Sequence, residues 1–113
     1  MPETPKPLCF YFDFMSPFAY LAHHRLPALA QTYGLEIVYR VIDLLAAKRA
    51  AGNTGPRNIE IPSKIRYLTL DLERWAARYG VPFRFPASLA SERMNKGVFF
   101  AADHGQTAEY VTA

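Results

Sequence analysis

The feature that most constrains the fold is an apolar run, LCFYFDF at residues 8–14, followed closely by the pair Ser16-Pro17. Short apolar runs rich in aromatic side chains are typical of buried strands, such as those covered on both faces in a parallel sheet. Serine is a preferred helix N-cap, and proline is favoured in the first helical turn. The stretch therefore predicts a buried strand, then a helix that begins at Ser16.

The following residues complete a strand–helix–strand unit. We expect the helix to adjust locally at Pro27, because proline lacks an amide hydrogen, and to stop at Gly34. LEIVYRVI, residues 35–42, is rich in β-branched side chains and predicts the second strand. Such units pair their strands in parallel and are almost always right-handed. The buried face of the helix is predicted to carry Phe18, Leu21, Leu26 and Leu29.

The remainder of the chain predicts helices and loops. DLLAAKRAAG indicates a short helix over 43–51, and the turn-forming residues of 52–62 indicate a loop. Residues 63–80 show apolar side chains three or four apart and a final glycine, which predicts an amphipathic helix. Residues 91–112 are predicted to be mostly helical, with a bend near Gly105. The apolar positions of the amphipathic helix are Ile65, Leu68, Leu72, Trp75 and Tyr79, and Trp75 is predicted to belong to the core.

This organisation leaves the sheet incomplete, because two strands rarely form an independently stable sheet. Either another chain supplies further strands or the polypeptide is the front part of a longer protein, and we expect truncation. The predicted division is a disordered leader at 1–7, a βαβ unit at 8–42 and a helical insertion domain at 43–113, truncated at its C-terminus. The fold class is α/β.

Composition excludes several classes of function. The 113 residues, half of them apolar, suffice for one domain, and a net charge of +3 from scattered side chains does not favour nucleic acid. A small anionic ligand is compatible with this charge. The single Cys9 forms no intramolecular disulfide and is expected to be buried as a small hydrophobe. With no signal peptide or membrane span recognised, we expect a cytoplasmic protein without membrane contact.

Ser16 has two interpretations. As an N-cap it stabilises the helix by about 1 kcal/mol. Functionally, it lies at the first βα turn, where ligands bind in parallel sheets and a helix N-terminus stabilises an anion such as a thiolate. Thioredoxin-like redox proteins carry C-x-x-C at this turn, but here the four residues are Ser-Pro-Phe-Ala. The turn therefore suits a thiol brought by a cofactor, with glutathione the obvious candidate.

Three blocks carry a resemblance to a known family: FYFDFMSPFAYLA, IDLLAAKRAAGNTGPRN and KIRYLTLDLERWAARYGVPFRFP. They resemble the 2-hydroxychromene-2-carboxylate isomerases, which belong to the kappa-type glutathione transferase and disulfide-oxidoreductase group of thioredoxin-like proteins. The resemblance implies a thioredoxin-like βαβ unit followed by an all-helical insertion. It also implies glutathione-dependent isomerisation in the breakdown of naphthalene-like aromatics, by thiolate addition, bond rotation and elimination.

The resemblance also implies roles for individual residues. Ser16 is expected to hold the glutathione sulfur as catalytic and cofactor-binding residue, with Asn53 also binding the cofactor. Apart from the resemblance, Lys64 is predicted to bind the cofactor because its charge can attract the glutathione carboxylates, and a solvated surface lysine is the alternative interpretation. Lys48, Asn53 and Asn58 are expected to bind the substrate, an aromatic carboxylate. The chain departs from the pattern at Ile59 and Leu89, where a basic residue and a tyrosine are expected, and this bears on the substrate pocket. Relatives of this kind are about twice as long.

Other functions stay open on the sequence alone. A kappa-like glutathione transferase would conjugate electrophiles at the same turn, and an inactive fragment would associate through its exposed sheet edge. A homodimer is expected in either enzymatic case. No metal site is expected, because neighbouring residues such as His23 and His24 point about 100° apart on a helix and do not chelate one ion.

Overall fold

Parallel pairing of two apolar segments organises the fold. The computed structural model describes residues 4–85 and 90–112. A two-stranded parallel sheet is joined by a helix that crosses between the strands, as the sequence predicts. In chain order the elements are β1 (Lys6–Phe12), α1 (Pro17–Thr32), β2 (Leu35–Val41), α2 (Leu44–Ala50), a 3-10 turn (Asn58–Glu60), α3 (Pro62–Tyr79), α4 (Glu92–Asp103) and α5 (Thr107–Thr112).

Strand β1 begins earlier and is less covered than the sequence predicts. Lys6 lies inside the predicted leader, yet it belongs to β1 because it pairs with Leu35 of β2. Side chains alternate along a strand, and here Phe12 is buried whereas Cys9 and Tyr11 are exposed, Tyr11 to 62%. The predictions of coverage on both faces and of a buried cysteine are therefore wrong for this chain.

Helix α1 begins and ends as predicted. Ser16 is its N-cap, Pro17 occupies the first turn, and Gly34 follows its end with the left-handed φ of 62° that glycine adopts readily. The helix continues through Pro27 as one element. Leu21 is buried as expected, but Phe18 and Leu29 are about half exposed, because the covered face turns Leu21, His23 and Ala30 inward instead.

The central cluster of buried side chains joins α1 to α3. Leu21 packs with Leu72 and Ala76, and Tyr79, Val81, Phe83 and Phe85 close around them. Helix α3 ends at Gly80, whose φ of 68° forms the predicted stop. Trp75 does not join this core: it is 42% exposed and packs beside Tyr79, with the Arg78 guanidinium 5.4 Å from its ring centre. The prediction of a core tryptophan is therefore wrong.

Helices α2, α4 and α5 complete the described structure. Asp43 caps α2 through a 3.1 Å bond from the Ala46 amide. The predicted bend near Gly105 separates α4 from α5, and Gly105 has a φ of 64°. All described elements after β2 are helical. The domain boundary predicted at residue 42 stays a prediction. Across 4–85 and 90–112, each helix is too short or too polar to cross a membrane.

Leu72 provides a test of the α1–α3 packing. It is 1% exposed, so we expect Leu72→Ala to lower the free energy of unfolding by about 3 kcal/mol through lost burial and a residual cavity. Chemical denaturation followed by circular dichroism measures this. Leu70→Ala on the same helix is the matched control, because Leu70 is 46% exposed and its removal should cost well under half as much. Equal losses would contradict the assigned packing.

A buried histidine connects α1 to α5. His23 Nε2 lies 2.9 Å from Thr112 Oγ1, and that hydroxyl donates its own hydrogen to the Ala108 carbonyl. His23 Nε2 must therefore donate, which leaves Nδ1 as a bare acceptor. Nδ1 is buried and has no hydrogen-bond partner among the described residues. Burial, and to a smaller extent the neighbouring His24, lowers the pKa of His23 below 6.5.

This histidine should make stability depend on pH. Since its folded-state pKa is lowered, the unfolded chain takes up a proton first as pH falls below about 6.5, so unfolding becomes easier until the folded pKa is passed. We expect the free energy of unfolding to decline over that window and the decline to vanish in His23→Phe. His24→Phe should retain most of it. An unchanged slope in His23→Phe would contradict the prediction.

Candidate active site at the start of helix α1

Ser16 lies in the turn between β1 and α1, where its hydroxyl can both accept and donate a hydrogen bond. Its oxygen accepts a 3.2 Å hydrogen bond from the Ala19 amide, which confirms the N-cap. Pro17 has no amide hydrogen, and the Phe18 amide lacks an acceptor in the described part of the chain. The hydroxyl hydrogen of Ser16 also has no acceptor there. Capping therefore leaves two donors, one hydroxyl and one amide, for a ligand at the helix start.

Ser16 lines a cleft between the helix start, α2, the 3-10 turn and α3, which we call the Ser16 cleft. Lys48 enters it from α2 and Asn58 from the 3-10 turn, so the structure brings three of the predicted site residues together. The walls are mostly apolar, as in pockets that accept aromatic ligands. They include Met15, Phe18, Leu44, Leu45, Ile65, Leu68, Leu72 and Phe85.

The other two predicted residues lie beside this cleft. Asn53 and Lys64 line an adjoining depression, which we call the basic groove. Lys48 and Asn58 border both, so the two are continuous. The groove is also lined by Arg49, Arg57, Thr54 and Gly55.

The basic groove carries uncompensated positive charge. Within residues 4–85 and 90–112, the ion pair shorter than 4 Å joins Lys96 to Glu92 on α4, and no carboxylate pairs with Lys48 or Lys64. Glu60 Oε2 accepts instead from the backbone amide of Arg57. The groove can therefore attract an anion beside the apolar cleft.

The structure also places residues to which the sequence assigned no site role. Phe18, predicted as core, forms part of the cleft wall, and its position two residues after the N-cap was the available signal. Ile59, the departure from the family pattern, also lines the cleft, whereas Leu89 lies outside the described residues. On the other side of Ser16, the Tyr20 hydroxyl donates to the Pro82 carbonyl.

Asp13 is a buried carboxylate directly behind this turn. Burial alone would raise its pKa, but hydrogen bonds from the Leu44 and Met15 amides, the Ser91 hydroxyl and the Asn95 side chain outweigh that effect. The net pKa of Asp13 lies below the usual 3.8. It is therefore ionised at neutral pH although almost no solvent reaches it. These hydrogen bonds compensate the charge of Asp13, and its side chain does not line the cleft.

The donor and cation chemistry of these residues is what the expected glutathione would need, and its binding stays a prediction. A thiolate needs hydrogen-bond donors at a positive helix end, which Ser16 and the Phe18 amide provide. The tripeptide has two carboxylates, for which the basic groove offers cations next to the cleft. No group of three His, Cys, Asp or Glu side chains suited to a metal occurs in the described part of the chain.

The fold and the site define the class of protein. The family model of the DSBA-like thioredoxin domain matches residues 8–113, and the chain belongs to this family. This confirms the predicted α/β thioredoxin-like class.

Individual proteins are similar to this chain over most of its length. The chain is 53% identical over 102 residues to 2-hydroxychromene-2-carboxylate isomerase of Pseudomonas putida, covering 90% of this chain and 50% of that protein. A solved structure of 2-hydroxychromene-2-carboxylate isomerase superposes with a TM-score of 0.86 at 51% identity, covering 94% of this chain and 52% of the other. Glutathione S-transferase kappa 1 of Caenorhabditis elegans is 32% identical over 87 residues, or 76% of this chain and 37% of that protein. The chain therefore spans about half the length of the curated relatives it matches.

Proposed function

We propose that the chain carries the glutathione site of an isomerase that converts 2-hydroxychromene-2-carboxylate to trans-o-hydroxybenzylidenepyruvate. The observation that carries the proposal is the shared cleft, in which a donor hydroxyl at a helix N-terminus faces the same space as Lys48 and Asn58. Relatives about half identical to the chain are named for this activity. Glutathione would supply the nucleophilic thiolate when bound.

Ser16 acts as the sulfur-holding group. Its oxygen accepts the bond from the Ala19 amide, which disfavours the hydroxyl rotamer that points at that amide and leaves the hydrogen available to a ligand. A preorganised donor stabilises an anion without reorganising when charge develops. Because serine has no sulfur, the residue orients the incoming thiol and does not react with it.

Lys48 and Asn58 act on the substrate. An aromatic carboxylate matches a cleft that combines apolar walls with a lysine on one side. Lys48 attracts the carboxylate, and the Asn58 amide can donate to an oxygen on which charge develops. Asn53 and Lys64 line the basic groove, and in this proposal they contact the carboxylates of glutathione. Homodimer formation stays a prediction.

A kappa-like glutathione transferase is the second candidate. The similarity to glutathione S-transferase kappa 1 favours it, although identity is lower than to the isomerases. Both functions use the same helix start for the thiol and differ in the second substrate. Conjugation of a model aryl halide faster than isomerisation of the chromene carboxylate would select the transferase.

Ser16→Ala tests the role of the hydroxyl. Loss of one preorganised donor costs about 100-fold to 1,000-fold in kcat, so we expect isomerisation to fall by that factor. The measurement is the absorbance change on mixing the chain with glutathione and substrate. Calorimetric titration with glutathione alone, repeated at several pH values, reports thiolate binding independently of turnover. Undiminished turnover in Ser16→Ala would remove the hydroxyl from the mechanism.

Lys48→Ala tests one of the two cationic side chains, Lys48 and Arg57, that line the cleft. A charge-assisted hydrogen bond contributes about 1.5–3 kcal/mol, so we expect the substrate KM to rise by roughly 10-fold to 100-fold. Glutathione affinity should change much less than substrate KM. Lys96→Ala is the control, because Lys96 lies on α4 in an ion pair with Glu92, outside the cleft and the groove. Equal effects of both substitutions would argue for general electrostatic attraction only.

A further inference from the structure

Asp13 joins three segments of the chain that are distant in sequence. Its side chain is 3% exposed. Oδ1 accepts from the Met15 amide at 3.0 Å and from the Ser91 hydroxyl, and Oδ2 accepts from the Leu44 amide at 2.9 Å. One carboxylate thus connects the turn before α1, the start of α2 and the start of α4.

Asn95 makes a second connection among the same segments. Its Oδ1 accepts from the Phe14 amide at 3.1 Å, and its Nδ2 donates to the Ile42 carbonyl at 3.3 Å. The Nδ2 group also lies 3.4 Å from Ser91 Oγ. Asp13 and Asn95 therefore hold the βα turn and the β2–α2 connection from one side, and both meet at Ser91.

The two connected segments carry the two ends of the Ser16 cleft. The Ser16 amide donates to the Asp13 carbonyl at 2.9 Å, so the turn that presents the hydroxyl is built on Asp13 itself. Leu44 is the first residue of α2, and Lys48 lies one helical turn further on. A helix of seven residues is marginal in isolation, so the direction of α2 depends on its anchors.

We infer that Asp13, with Asn95, is a positioning residue that sets the separation of the Ser16 hydroxyl and the Lys48 ammonium. It touches neither thiol nor substrate. Its carboxylate fixes the helix that carries one group relative to the helix that carries the other. The catalytic consequence rests on the proposed function, whereas the geometric claim does not.

Distance measurement between the two helices tests the geometric claim without any ligand. Cysteines placed at Ala22 of α1 and Ala50 of α2, in a Cys9→Ala chain, carry nitroxide labels for double electron–electron resonance. Both alanines are exposed and lie outside the cleft. We expect one narrow distribution in this parent and a broadened or displaced one in Asp13→Asn, where an amide group faces hydrogen-bond donors.

Matched controls separate positioning from general loss of structure. Asp43→Asn makes the same chemical change at the same helix start, but asparagine still caps a helix, so the distribution should stay narrow. Asn95→Ala should broaden it, whereas the neighbouring Lys96→Ala should not. If circular dichroism shows Asp13→Asn to be unfolded, the Asn95 and Lys96 pair decides.

Kinetics give the second readout. Misplacement by about 1 Å can cost 100-fold in rate, so Asn95→Ala should lower kcat by at least 10-fold while the dissociation constant of glutathione stays within about 3-fold. A purely structural role would instead reduce the folded fraction and leave the kcat of the folded molecules unchanged. Folded Asp13→Asn and Asn95→Ala chains with the parent distribution would overturn the inference. Absence of isomerisation in the unmodified chain would overturn the proposed function and leave the distance result to decide the inference.

Discussion

The buried carboxylate of Asp13 is the interaction on which the arrangement of the site depends. A charge removed from water is tolerated only where hydrogen bonds replace its hydration, and Asp13 receives them from two backbone amides and one hydroxyl. Those donors come from separate elements. The requirement to satisfy one charge thus brings the start of α2 and the start of α4 to the turn at which α1 begins.

Local chemistry at that turn allows one serine to combine the helix cap with the proposed binding of sulfur. A hydroxyl has one hydrogen to donate and two lone pairs to accept, and the N-cap uses only an acceptor position. Proline at the next position removes an amide that would otherwise compete. The helix is therefore stabilised through an acceptor position of a hydroxyl whose hydrogen stays available to donate. Structural and functional interpretations of Ser16 are compatible, and the choice between them that the sequence posed is not required.

Local signals predicted most of the fold. Capping residues, the serine–proline pair and terminal glycines located α1, α2 and α3, and β-branched residues located β2. Burial was harder to predict, because it depends on which neighbours a face meets. Tyr11 and Trp75 have the apolar character of core residues, but their faces are not covered by the described elements. Periodicity identifies an apolar face and does not identify its partner.

In the candidate site, too, some residues could be predicted from local sequence and others could not. Ser16 was predicted from its place in the βα turn and Lys64 from its charge, whereas Lys48, Asn53 and Asn58 followed only from the family resemblance. In the sequence, Asp13 is the one charged residue of the apolar run at residues 8–14. Its significance needed Leu44, Ser91 and Asn95, which lie 31 to 82 residues further along the chain. Short-range patterns carry no information about such pairings.

The position of the single cysteine, Cys9, bears on which chemistry is available at the turn. Cys9 is exposed on β1, and its side chain points to the face opposite Phe10 and Phe12, the aromatic rings that lie on the α1 side of the sheet. In a strand, neighbouring side chains project to opposite faces, so Cys9 cannot turn toward Ser16 without a change of register. The cleft at the helix start thus has no thiol of its own. The proposed function therefore requires that the sulfur arrive with a ligand, and the cations of the adjoining groove suit a ligand that is itself an anion.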